Sequence, residues 1–367
     1  MNEEDILRKK KRNNEEEDER KKRGFLFILG ERFKSGRLLL LLLAFLFTLV
    51  GLSASTYAWF TSNFTVSVQE IDVTVSSGSG IQISTNAKDW KSLITVADIR
   101  NHTGYSAAVN QVPESTAQIA PVSTVKTAYA TATTKSQGLH MYKGTIVNDA
   151  ETGTMYLDST SETDGSENPN YVAFDLFLKL DFASAKKVYL TPTTGVIANN
   201  TDSHIQYAGR MGFVVNGHGE SSATDTALQD IKGATNVLIY EPNYDVHTDT
   251  GLANGRNNYG ITDREASGNS DPCPYNGVKA EFQYDPENPT TKPGTPLGST
   301  DENKFEAVVP DIKTTLNNSE KTEFLTLQPG VTKIRVYMWI EGQDIDCENN
   351  ASGGDVKFNL GFTVDQE

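Results

Sequence analysis

Apolar residues are distributed along this chain in two ways. Residues 38–60, LLLLLLAFLFTLVGLSASTYAWF, form one run without a charge. After it, apolar and polar residues alternate in short bursts separated by Gly, Asn, Ser, Thr and Pro. A helix over 38–58 has 21 residues, and at about 1.5 Å per residue it matches roughly 30 Å of bilayer hydrocarbon. The first pattern predicts a transmembrane helix or the apolar core of a signal peptide. The second predicts strands.

The strand-like runs are 65–68 (TVSV), 71–75 (IDVTV), 80–84 (GIQIS), 171–182 (YVAFDLFLKLDF), 188–190, 211–215, 236–240, 331–340 and 356–364. In the last of these Val356, Phe358, Leu360, Phe362 and Val364 share one face, as a half-buried strand requires. Helical signals are few. Residues 89–99 place Trp90, Leu93 and Ile94 on one side, and 223–232 begin with Thr224 or Asp225 as a cap. Short strands without repeating βα units predict a mainly β fold, a sandwich or jelly roll with long loops. Residues 101–170, rich in Ser, Thr, Ala and Asn, and residues 243–303, rich in Pro and Asn, read as outer loops or as a small subdomain. Trp339 belongs to an alternating strand and is expected in the core.

Charge gives the apolar run a direction. Residues 1–37 carry twelve basic and nine acidic side chains, and the rest of a chain of net charge −15 is strongly acidic. Basic residues flanking a membrane helix stay in the cytoplasm, so the C-terminal part is expected outside. The chain then divides into a cytoplasmic head (1–37), a transmembrane or signal segment (38–58) and an extracellular domain (59–367). The acidic run at 15–19 and the acidic exported part argue against nucleic acid as a partner. Small residues ending at Ser55 and at Ala58 suit a signal peptidase, whereas the long head suits an uncleaved anchor. Both readings stand: a membrane protein with its domain outside, or a secreted one.

The junction SASTYAWFTSN at 53–63, followed by a Val-rich strand, resembles Gram-positive exported proteins that use a dedicated signal peptidase. That group includes camelysin and the biofilm-matrix fibre proteins. Further blocks resemble uncharacterised surface proteins with the same junction: GIQISTNAKDW (80–90), PVST (121–124), FDLFLK (174–179), VYL (188–190), YEPNYDVHT (240–248) and WIEGQDIDC (339–347). The resemblance implies a jelly-roll-like exported domain in a matrix or surface role. It also implies a first strand, here 64–75, able to complete a neighbouring subunit's sheet. The long basic head departs from the short signals of that group.

Chemistry is sparse. The five His (102, 140, 204, 218 and 247) form no HExxH pair. Ser-x-x-Lys occurs at 123–126 and 184–187 without its companion motifs, and no nucleophile elbow or phosphate loop is present. The chain is therefore expected not to be an enzyme; a metallopeptidase, suggested by the camelysin resemblance, is the remote alternative. Two acidic loops follow strands. One holds Glu241, Asn243, Asp245 and Asp249, and the other holds Glu341, Asp344, Asp346 and Glu348, with Asp344 and Asp346 as its candidate ligands. Each is either a self-bonded turn or an oxygen-rich calcium site. No other cofactor is expected. Cys273 and Cys347 lie in loop-like contexts outside the membrane, which suits a surface disulfide. The expected function is a cell-surface or secreted structural β-domain, associating with like subunits or envelope polymers. The alternative is an extracellular adhesin for carbohydrate or protein.

Overall fold

A computed structural model describes residues 65–365, except 253–309, short stretches at 101–103, 114–117, 130–136, 149–154, 166–169, 200–203 and 348–352, and a few single positions. The chain divides into two units, Met1–Tyr57 and Ala58–Glu367. The apolar run, Ser55, Ala58 and Cys273 lie outside the described residues. Among the described residues no helix is long and apolar enough to cross a membrane.

The described fold is mainly β. Its strands are β1 (Val66–Val75), β2 (Ile81–Ser84), β3 (Leu93–Thr95), β4 (Asn110–Gln111), β5 (Gln118–Ile119), β6 (Ser123–Tyr129), β7 (Gly138–Asn148), β8 (Met155–Glu162) and β9 (Val172–Leu180). They continue with β10 (Lys186–Leu190), β11 (Gly195–Ala198), β12 (Gly209–Gly219), β13 (Asn236–Glu241), β14 (Ile312–Lys313), β15 (Thr322–Leu327), β16 (Gly330–Ile340) and β17 (Asp355–Val364). Three sheets result. An outer sheet runs β15-β10-β17-β1-β3, with β11 beside β17 and β5 beside β1. A central sheet runs β14-β13-β12-β16-β9-β2, with β4 beside β9, and a small sheet runs β6-β7-β8.

Alternation explains the outer sheet. Val356, Phe358, Leu360, Phe362 and Val364 of β17 are all buried, as their spacing predicts. In β1 the phase slips: Val66 and Val68 are buried, then Ile71, Val73 and Val75. The pairing with β17 shifts between Val68 and Glu70. One extra residue there re-aims the second half of the strand, so both halves face the core. The two runs at 65–68 and 71–75 are thus one bulged strand, parallel to β17.

The central sheet is apolar on both faces. On one face Val172, Phe174, Leu176, Leu178 and Leu180 of β9, Ile334, Val336, Met338 and Ile340 of β16, and Met211, Phe213 and Val215 of β12 join the outer sheet in one core. On the other face Ala173, Val214, Tyr337 and Trp339 pack with Val122, Leu139 and Met141. Trp339 is in the core as expected. Gly212 lets that second layer lie close: a Cβ there would stand 3.1 Å from the Trp339 ring and 3.2 Å from Leu139.

Two expectations change. Residues 101–170 are not merely outer loops, because β6, β7 and β8 lie there and Leu139 and Met141 cover the central sheet. Few apolar residues suffice when each lands on an apolar face already made by other strands. Residues 89–99 are not one helix either. Leu93–Thr95 pairs with β1, and only α1 (Val96–Arg100) is helical. The helix at 223–232 is present as α2 (Asp225–Gln229), with Thr224 as the capping residue.

Candidate functional site

Topology brings the two acidic loops together. Strand β12 is antiparallel to both β13 and β16. The C-terminal ends of β13 and β16 therefore flank the start of β12. Arg210 is the second residue of β12, Glu241 ends β13, and Glu341 follows β16. All three are buried, as are Asp344 and Asp346 beyond β16. The sequence presented the loops as two separate sites; they form one.

Arg210 is the hinge of the cluster. One of its terminal nitrogens, Nη2, donates to Glu241 Oε1 at 2.5 Å and to Asp344 Oδ2. The other, Nη1, donates to the carbonyls of Tyr207 and Gly209 at 3.0 Å. His247 Nδ1 lies 2.7 Å from Asp346 Oδ2, and the Thr248 N–H donates to Asp346 Oδ1 at 2.8 Å. The Asp346 N–H donates to Asp344 Oδ1 at 2.8 Å, and the Trp339 indole N–H donates to Glu341 Oε2 at 3.0 Å. Backbone bonds pin the second loop: Glu341 N–H to Ala208, Gly342 N–H to Val122 and Cys347 N–H to Asp344.

Electrostatics set this cluster apart. The Asp344 carboxyl is pushed up to about 7: burial raises it most, Asp346 and Glu241 add to the rise, and Arg210 and His247 oppose it. Burial pulls Arg210 down, but Glu241 and Asp344 outweigh it and hold the guanidinium above its ordinary value. Among the described residues, the carboxylates of Glu241, Glu341, Asp344 and Asp346 face one guanidinium and one imidazole.

Not all the candidates converge. Asp245 caps the N–H of Leu316 at 2.8 Å, and Asp249 is exposed. Asn243 shapes the turn: its φ is 60°, a left-handed conformation that Asn tolerates, and its Nδ2 donates to the Gln206 carbonyl at 3.4 Å. Cys347 does not lie on the surface as its loop-like context suggested. It is 1 % exposed and packs in the main core. Sequence reasoning missed Arg210, which sits in a strand with no acidic neighbour in the chain, and it did not count His247 among the candidate ligands of the loop that holds it.

A second buried ionic group lies further along the same face. Arg335 donates to Asp175 at 2.8 Å and to Asp164 at 3.0 Å, and Lys333 Nζ is 3.6 Å from Asp175. Tyr337 and Tyr171 donate to Asp164 at 2.8 and 3.0 Å, and Tyr105 donates to Asp175. Among the described residues two cations meet two carboxylates, and the ion pairs at Asp175 cross-link β9 to β16. A scan against protein-family models finds no match to the chain, and neither a search of curated proteins nor one of solved structures finds any.

Proposed function

We propose that this chain is a cell-surface or secreted structural protein: a jelly-roll-like β-sandwich, carried across the membrane by the helix at 38–58, that associates with like subunits or envelope polymers without catalysis. One observation supports it above the others. The strand that follows the apolar run, β1, pairs in parallel with the last strand, β17, from Ser67 opposite Asp355 to Val75 opposite Phe362. Its apolar side supplies Val66, Val68, Ile71, Val73 and Val75 to the core. A terminal strand that fills an interior slot of its own sheet has the right chemistry to fill the same slot in another copy, since the ladder bonds and pockets are identical. The membrane contact is residues 38–58, and nucleic acid is not a partner.

The test is electron microscopy of the protein recovered from washed cells and from the medium, with N-terminal sequencing of each. Filaments that form with rising concentration, in material starting near Trp59, agree with the proposal. A strict monomer that binds glycans on an array supports the adhesin instead. Peptidase activity abolished by a chelator contradicts the absence of catalysis.

A further inference from the structure

We propose that the buried acidic cluster at the end of the central sheet is a divalent-cation site, with Asp344, Asp346 and His247 as its ligands and Glu241 supporting them through Arg210. It does not depend on the structural role proposed above.

Three observations converge. One Nδ1 or Nε2 atom of His247 and one carboxylate oxygen each of Asp344 and Asp346 all lie within 4.8 Å of one another. Metal–ligand bonds run about 2.0–2.6 Å, so atoms this close can close on a single ion with only small side-chain shifts. Next, Glu241 is 1 % exposed, and its second oxygen, Oε2, is buried with no hydrogen-bond partner among the described residues. Its first oxygen shares Arg210 Nη2 with Asp344, so this carboxylate stands next to the ligand group. Gln206 Oε1, just before β12, is a second buried acceptor with no partner among the described residues. Both orphans are acceptors, so each lacks a proton donor or a cation. A buried acceptor left unmatched is costly, and native interiors rarely keep one.

The third observation is the contrast between the two buried ionic groups. Around Arg335 and Lys333 the charges cancel. Among the described residues, the four carboxylates around Arg210 outnumber the cations even with His247 protonated. A buried surplus of negative charge binds protons or a metal ion, since an isolated buried carboxylate is expensive. The site is also held in shape before any ion arrives, because Asp346 is fixed by Thr248 and His247, and Asp344 by Arg210 and the Asp346 N–H. Carboxylates with one imidazole suit Mn²⁺ or Zn²⁺, while carboxylates alone suit Ca²⁺.

The experiment uses the full-length chain in detergent, stripped with a chelator and dialysed. Calorimetric titration with Ca²⁺, Mn²⁺ and Zn²⁺ in turn is paired with thermal melts. The expected result is saturable binding of at least one of the three near one ion per chain, with a rise in melting temperature. Asp346→Asn and Glu241→Gln, which keep shape and remove charge, should each weaken that binding about tenfold or more. No saturable binding of any of the three by the unaltered chain overturns the proposal, a result that does not depend on how the variants fold. Binding that survives unchanged in both variants also overturns it, because the ion then sits elsewhere.

Discussion

Asp175 stands in the middle of β9 with its carboxylate wholly buried between Arg335 and Lys333. Burial alone would raise its pKa, but Arg335 and Lys333 outweigh burial and hold it below the ordinary value. Replacing Asp175 with Asn leaves the Arg335 charge short of a partner. The expected loss is about 3–5 kcal/mol, read by urea unfolding at neutral pH. A carboxyl with a depressed folded pKa binds fewer protons folded than unfolded. The stability it contributes is complete above the unfolded value of about 3.9 and is lost as pH falls through the folded one. Unfolding measured from pH 6 to pH 2 should therefore show a decline below about pH 4 that is shallower in Asp175→Asn. An unchanged slope would show that other groups set the acid limit.

The bulge in β1 gives a test at the scale of one element. Gln69 is the extra residue between Val68, opposite Val356, and Glu70, opposite Lys357. Its side chain makes one exposed hydrogen bond, to Asp355 at 3.1 Å. Deleting Gln69 joins two half-strands whose buried positions then alternate without a break, so the fold should survive with a loss of about 1 kcal/mol or less. Deleting Asp72 does the reverse, since it puts one part of the strand out of phase with the core. Each Val or Ile turned outward forfeits about 1.5–3 kcal/mol. Circular dichroism melts of the two deletions should differ widely; equal melts would mean that β1 does not hold this register.

Across the whole molecule, the central sheet is covered on both sides and the small sheet supplies part of the second cover. Leu139 is fully buried against Gly212 and beside Trp339. Its N–H also donates to the Tyr337 hydroxyl at 2.9 Å, which itself donates to Asp164. Leu139→Ala should therefore cost about 2–5 kcal/mol by opening a cavity, and it should alter the near-ultraviolet signal of Trp339. A loss under about 0.5 kcal/mol, typical of a surface change, would mean that the small sheet is ornament.

Eight of the seventeen described strands could be read from the sequence because alternation is a local property. The ladder 356–364, the run 171–182 and the pair 211–215 and 236–240 are each specified by which neighbours are apolar. So was the Thr224 cap, which needs only the next turn of chain. The small sheet was not legible at 101–170. Its few apolar residues gain their burial from faces of β9, β12 and β16, far along the chain. The acidic cluster follows the same rule. Its residues lie at 210, 241–247 and 341–346, and nothing in any one segment shows that the other two are near. Their meeting follows from the antiparallel order β13-β12-β16, which puts two strand ends beside one strand start. Residue spacing thus determined the principal strands of the two large sheets and which of their side chains face inward. Strand pairing alone decided which charges meet in the interior, because Coulomb energy and hydrogen bonding depend on separation in space and not along the chain.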